Sequence, residues 1–285
     1  MSMKYKIEAT IPTTQYGNIR PTFEIENNGD EDTAIVKMTE LWNKYGEKPL
    51  KVATGQIEGF KSLVELTTFT EESILWDEAN HKYYSKDMKP LVSGSGYADS
   101  VSPKFDKAML LPKTAKSWGV AEDALGDIWD LQGQVSTEYG SSIHTALDIW
   151  HKYAPTGKKI QEKKGMDMNY VLPKNEHIKN IVLSFEEQFG SDALSEVLIS
   201  DVGNLMAGRI DRLEILDSDG KVCRIGDYKT NNDLDDKKML KYQHQMSFYA
   251  HILINKGYTV QGLDIFHYDG TKWVKTTLDI LELSR

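Results

Sequence analysis

The sequence has a single cysteine, Cys223, in 285 residues. That excludes an internal disulfide, a four-cysteine zinc site and a four-cysteine iron–sulfur cluster held by one chain. Any metal must therefore be bound through oxygen and imidazole ligands. No apolar run approaches the roughly 18 residues of a membrane-spanning helix. The first residues, MSMKYKIEAT, also lack the basic-then-apolar plan of a secretory signal. The expectation is a soluble, cytoplasmic protein with no membrane partner. Positive charge is in short supply as well. Lys and Arg number 34 against 43 Asp and Glu, a net charge of −9, which argues against binding a polyanion by overall attraction. The distribution is uneven. The first hundred residues hold 16 acids against 11 bases, whereas Lys152, Lys158, Lys159, Lys163 and Lys164 surround one acid, Glu162. That stretch reads as a lysine-rich loop, which either tracks a phosphate backbone or is simply solvated.

With 40% hydrophobic residues, the chain can bury one substantial core and carry a small extra module. Strands are expected at Tyr5–Ile11 and Asn18–Glu26, followed by a helix whose apolar positions are Ile35, Met38, Leu41 and Trp42. Residues 1–50 thus form a small N-terminal ββα unit, and residues 51–73, weakly periodic, read as a linker. From residue 74 the pattern starts with a hairpin over Ile74–Tyr84, turning near Asp77–Asn80. Helices are expected over about 132–152 and 174–189, then strands near 195–200 and 205–216. A tight turn at Asp219-Gly220 leads to a strand over Val222–Thr230, a helix over Asp235–Asn255 and a late hairpin at Asp269-Gly270. This order predicts an α/β domain over 74–285, with a mixed central sheet flanked by helices.

Asp227 and Lys229 stand two apart on a strand, so their side chains share one face. The Asp219-Gly220 turn folds the preceding strand, with Asp211 in G-R-I-D, back beside them. Two carboxylates held close repel unless a cation intervenes, and hard oxygen ligands select Mg²⁺ or Mn²⁺. A lysine at such a site suits phosphodiester hydrolysis, where it positions water or offsets charge on the phosphate. His144 lies on a helix with the apolar stripe Val135, Tyr139, Ile143, Ala146 and Trp150, one turn after Gly140. It reads either as a further ligand or as a satisfied core histidine. On the last helix Lys241, Gln245 and Tyr249 recur every four residues, opposite Leu240, Met246, Phe248 and Leu253. That stripe either contacts DNA and orients Lys229, or is an ordinary wet face.

In order, G-S-S-I-H at 140–144, G-R-I-D at 208–211, I-G-D-Y-K-T at 225–230 and Q-M-S-F-Y at 245–249 resemble the motifs of RecB-like PD-(D/E)XK nucleases. The resemblance covers roughly residues 74–270, with Tyr83, Tyr84 and Ser93 through Phe105 similar to the entry segment. It implies a restriction-endonuclease-like core. It also implies that His144, Asp211, Asp227 and the backbone carbonyl of Tyr228 bind Mg²⁺ or Mn²⁺, that Lys229 is catalytic, and that Glu196 is an accessory acid. Gln245 and Tyr249 would form the Q-x-x-x-Y motif and contact DNA, with Lys241, Lys158 and Lys159 as further DNA contacts. Ile210 replaces the proline that names the superfamily. The compact layout resembles phage-type exonucleases acting on DNA ends in recombination, repair or replication, which would place the protein in a host cytoplasm. The acidic N-terminal unit favours a protein partner. The leading expectation is a metal-dependent DNA exonuclease. A flap or single-strand endonuclease and a catalytically idle DNA-binding module are the alternatives.

Overall fold

The computed structural model describes residues 63–283 apart from 79, 104 and 232, and before them only backbone strands within residues 5–25. The chain divides into two compact units, Met1–Phe60 and Lys61–Arg285. In the first unit, β1 (Tyr5–Glu8) pairs antiparallel with β4 (Thr22–Ile25), and β2 (Ile11–Thr13) with β3 (Gly17–Ile19). Four short strands thus stand where the sequence suggests two. The helix expected around Ile35–Trp42 lies outside the described residues.

The second unit is built on one nine-stranded mixed sheet. A meander of β5 (Leu63–Thr67), β6 (Ser73–Asp77), β7 (Lys82–Tyr84) and β8 (Pro90–Ser93) forms one side. Helices α1 (Gly94–Val101), α2 (Lys107–Trp118), α3 (Glu122–Lys164) and α4 (Glu176–Phe189) follow. Next come β9 (Leu194–Asp201), β10 (Met206–Ile215) and β11 (Val222–Lys229). Helix α5 (Asp236–Asn255) carries the chain from β11 to its parallel neighbour β12 (Thr259–Tyr268), as a parallel pair requires. The hairpin partner β13 (Trp273–Leu278) closes that edge.

Strand alternation sorts the core onto two faces. Cys223 and Ile225 of β11 join Met246, Ile252, Leu253, Leu263 and Ile265 beneath α5. Tyr228, of opposite parity, joins Ile143, Leu147, Phe185, Phe266 and Trp273 beneath α3 and α4. Burying these apolar faces is the main stabilising term, at roughly 25 cal/mol per Å² removed from water.

Three elements differ from the sequence reading. Strand β5 lies inside the stretch read as a linker, and the turn that follows it is tied to the end of β9 by side chains. Thr68 Oγ1 lies 3.1 Å from Ser200 Oγ, and Glu72 Oε2 accepts from Ser200 Oγ at 2.8 Å and from the Val202 amide at 2.9 Å. Helix α3 runs 43 residues, well past both expected ends. Its lysine-rich stretch is therefore the last three turns of a helix rather than a loop. Pro155 and Gly157 suggest a break there, but Asn169 donates to the Ala154 carbonyl at 2.9 Å, and its amide fills the space above Gly157 where a Cβ would sit. The helix ends at Gly165, whose φ of +62° closes it in the left-handed conformation. Third, the helical stripes are shifted. Val135 and Leu240 are exposed, while Leu147 of α3 is fully buried.

Candidate active site

Strand β10 supplies the geometry. Along one edge it pairs with β9 between Met206 and Leu213. Along the other it pairs with β8 only at Met206 and Ala207, and with β11 only from Arg212 onward. Between these two ladders the sheet splits, and Asp211 stands at the fork. The last registered pair on the β11 side is Arg212 with Gly226, so Asp211 and Asp227 face each other one step beyond it. At the fork the Tyr228 amide loses its strand partner, and Asp211 Oδ2 accepts it at 3.0 Å. The carboxylate thereby satisfies a backbone donor that divergence would leave orphaned.

Glu196 meets Asp211 from the other edge. It lies between Ser195 and Val197, which pair with Arg212 and Ile210, so Glu196, Asp211 and Asp227 form one row across three strands. Glu196 holds φ at +52°, a left-handed backbone that is costly for a non-glycine residue. His144 reaches the row from α3, with Nδ1 3.5 Å from Asp211 Oδ2. Ligand atoms of His144, Glu196 and Asp211 all lie within 4.8 Å of one another. Gly140 allows this approach of the helix, because a Cβ there would lie 2.9 Å from Thr230 Oγ1.

Asp227 is 4% exposed and pairs with Lys229 Nζ through Oδ2. Burial pushes its carboxyl up to about 6. Lys229 works against that rise, and the neighbouring Asp211 adds to it. Burial also acts to lower the Lys229 ammonium, but Asp227 and Asp211 outweigh it and hold its pKa above the usual lysine value. Nζ further sits over the Tyr242 ring, 4.4 Å from its centroid. Burial and Asp211 together raise the Glu196 carboxyl, against the nearby Arg209. Like charges desolvated side by side account for both raised acids.

The row opens into a cleft of about 680 Å³ lined by His144, Glu196, Arg209, Asp148, Ser141 and Lys152. All four residues expected at the centre, His144, Asp211, Asp227 and Lys229, meet at the fork, with Tyr228 beside them. The residues expected to contact DNA are more scattered. Lys158 and Lys159 point to solvent from the last turns of α3, and Lys241 pairs with Asp99 at 2.5 Å. Gln245 donates to the Tyr249 hydroxyl at 3.1 Å. Tyr249 itself is buried, its ring lying where Cβ atoms of Gly94 and Gly208 would be, with Cε1 2.3 Å from each such position. Both glycines are needed to admit it. Sequence reasoning placed Glu196 only at the margin and missed His151 and Arg212 behind the site. An acid in register with Asp211 on the neighbouring strand is the signal that marks Glu196.

A mixed sheet split at a fork that carries two facing aspartates and a D-x-K lysine defines the class, a nuclease domain of restriction-endonuclease-like fold. The sequence profile of the PD-(D/E)XK nuclease superfamily matches residues 121–264, and the chain belongs to that superfamily. Among solved structures it is similar to one titled "Crystal structure of SSO0001". The identity is 16%, over 50% of this chain and 68% of that chain, with a TM-score of 0.26. No curated protein matches the sequence. No helix among the described residues is long and apolar enough to cross a membrane.

Proposed function

We propose that the chain is a Mg²⁺- or Mn²⁺-dependent DNA nuclease of the RecB-like branch, working as an exonuclease on DNA ends. One observation carries the reading. His144, Glu196 and Asp211 bring ligand atoms within 4.8 Å of one another beside the Asp227–Lys229 pair. Carboxylates and one imidazole, without thiolate, suit a hard divalent cation, and facing acids that repel one another are relieved by one. His144, Asp211 and Asp227, with the Tyr228 carbonyl, would hold the ion, and Glu196 would complete the set. Bound there, such an ion acidifies a coordinated water and offsets charge on the scissile phosphate.

The protein groups have separable tasks. Asp227 would serve as a ligand in its ionised form. Lys229, held beside it, orients the attacking water and faces the negative charge that grows on the phosphate. Ser141 and Lys152 line the approach to the row and would bond the substrate backbone. Lys158, Lys159 and Lys241 would add phosphate contacts further out. Gln245 reaches the strand from α5, with buried Tyr249 as its support. The acidic N-terminal unit would serve a protein contact rather than a DNA grip.

End-labelled linear DNA incubated with Mn²⁺ or Mg²⁺ tests this. Cleavage should require the ion and vanish in Asp227→Ala and Lys229→Ala. Wild-type protein that binds Mn²⁺ yet never cuts would identify an idle binding module instead. Covalently closed single-stranded circles separate the two enzyme readings, since an exonuclease leaves them whole and an endonuclease opens them.

A further inference from the structure

His151 follows His144 by seven residues on α3, two turns of helix, so both imidazoles project toward β11. The ring of Tyr228 stands between them. His144 meets it edge-on, with centroids 5.6 Å apart and planes at 89°. His151 lies nearly parallel to it, at 6.4 Å and 6°, and its Nε2 is 3.0 Å from the Tyr228 hydroxyl. A third group shares that nitrogen. Arg212, 2% exposed, brings Nη1 within 3.5 Å.

These contacts fix the protonation pattern. A guanidinium can only donate, so Nε2 is an acceptor, the imidazole is neutral, and the tyrosine hydroxyl also donates to it. The other ring nitrogen, Nδ1, is buried with no hydrogen-bond partner among the described residues. Tyr228 therefore has two ends under control. Its hydroxyl is held by α3, and its amide holds Asp211 Oδ2.

The geometry points to His151 as a positioning residue that clamps α3 onto β11 through the Tyr228 hydroxyl and so sets the distance between His144 and Asp211. Without that bond, α3 meets the Tyr228 ring by packing alone, which tolerates sliding; a polar tie to the sheet remains at Asp148, whose Oδ1 accepts from Ser195 Oγ of β9 at 2.7 Å, but His144 is held less tightly relative to Asp211. The functional consequence rests on the metal-dependent reading given above, whereas the clamp itself does not.

The test uses the full chain. His151→Phe keeps ring volume and removes the acceptor. Arg212 retains Glu214 Oε1 at 2.9 Å and the Gly190 carbonyl at 3.1 Å. Tyr228→Phe removes the donor. Isothermal titration with Mn²⁺ should show each variant about tenfold weaker, in the range for groups that orient metal ligands. The double variant should be no weaker than either single, and His151→Gln, which restores an acceptor, should recover most of the loss. With DNA, raising Mn²⁺ should restore kcat while KM for DNA stays put. Variants that melt earlier yet keep wild-type Mn²⁺ affinity, or losses that simply add in the double, would overturn the proposal. Should the wild type bind no Mn²⁺, the metal-dependent reading fails on its own. The clamp is then judged by ¹⁵N resonances of His151 at pH 7. A neutral ring protonated at Nδ1 supports it, and a charged ring or one protonated at Nε2 refutes it.

Discussion

Asp211 holds Tyr228 by its amide: Oδ2 accepts that N–H at 3.0 Å, at the point where β10 and β11 part. A single side chain thus closes a gap in the sheet and faces two other acids.

Fold and chemistry separate at this position. Asp211→Ala should both abolish cleavage and destabilise the domain by about 1–3 kcal/mol, the usual cost of a buried donor left unmet. Asp211→Asn keeps an oxygen for the amide, so it should unfold in urea close to wild type while remaining inactive. Equal stability losses in the two variants would show that the amide contact contributes nothing.

Asp227 gives the metal-free protein a characteristic pH dependence. Its carboxyl titrates near 6 in the fold against 3.8 for the free side chain, chiefly through burial. Between those values the folded state binds more protons than the unfolded one, so this group's contribution to stability falls as pH rises through the window. Melting in EDTA should therefore show a decline from pH 4 toward pH 6 that is flattened in Asp227→Asn. Mn²⁺ must displace that proton, so the gain in Tm on adding Mn²⁺ should be larger at pH 7.5 than at pH 5.5.

Glu196 sets stability against function. Its left-handed backbone suits glycine, so Glu196→Gly should stabilise the metal-free domain by roughly 1 kcal/mol and also remove repulsion from Asp211. The same change should weaken Mn²⁺ binding and lower kcat by tenfold or more. Differential scanning calorimetry paired with Mn²⁺ titration reads both effects, and a variant that is stabilised and fully active would remove Glu196 from the site.

Tyr249 depends on the two glycines it faces. A Cβ at Gly208 would lie 2.3 Å from its ring, and because both partners are packed, neither yields cheaply. Gly208→Ala should cost about 1–3 kcal/mol in urea unfolding, and the added change Tyr249→Leu should recover part of that loss. A fully tolerated Gly208→Ala would mean that the ring has another place to go.

The meeting of Asp211, Asp227 and Lys229 was legible in the sequence because two local rules placed them: alternation put Asp227 and Lys229 on one face, and the Asp219-Gly220 turn brought Asp211 alongside, whereas His144 was singled out as a ligand through the family resemblance. The mixed sheet and most element positions followed from the same patterns. What escaped depends on partners far along the chain. Helix α3 continues through Pro155 and Gly157 because Asn169 braces it. Tyr249 reads as one of a polar stripe, yet Gly94 and Gly208 open a slot that buries it. Glu196 shows no signal in its own strand, since its importance comes from the register with β10 and from a backbone angle that composition cannot reveal.

Three acids in a row on neighbouring strands carry a metric consequence. Between Glu196 and Asp211 the backbone spacing is that of paired strands, about 4.8 Å, held by the β9–β10 ladder on either side of them, whereas Asp227 lies one step past the last β10–β11 pair. On the β9 side the sheet acts as a fixed gauge, and there side-chain length tunes how far apart the oxygens sit. Exchanging Asp211 for glutamate therefore changes the diameter of the opening directly, and the size of cation that fits is written in methylene groups.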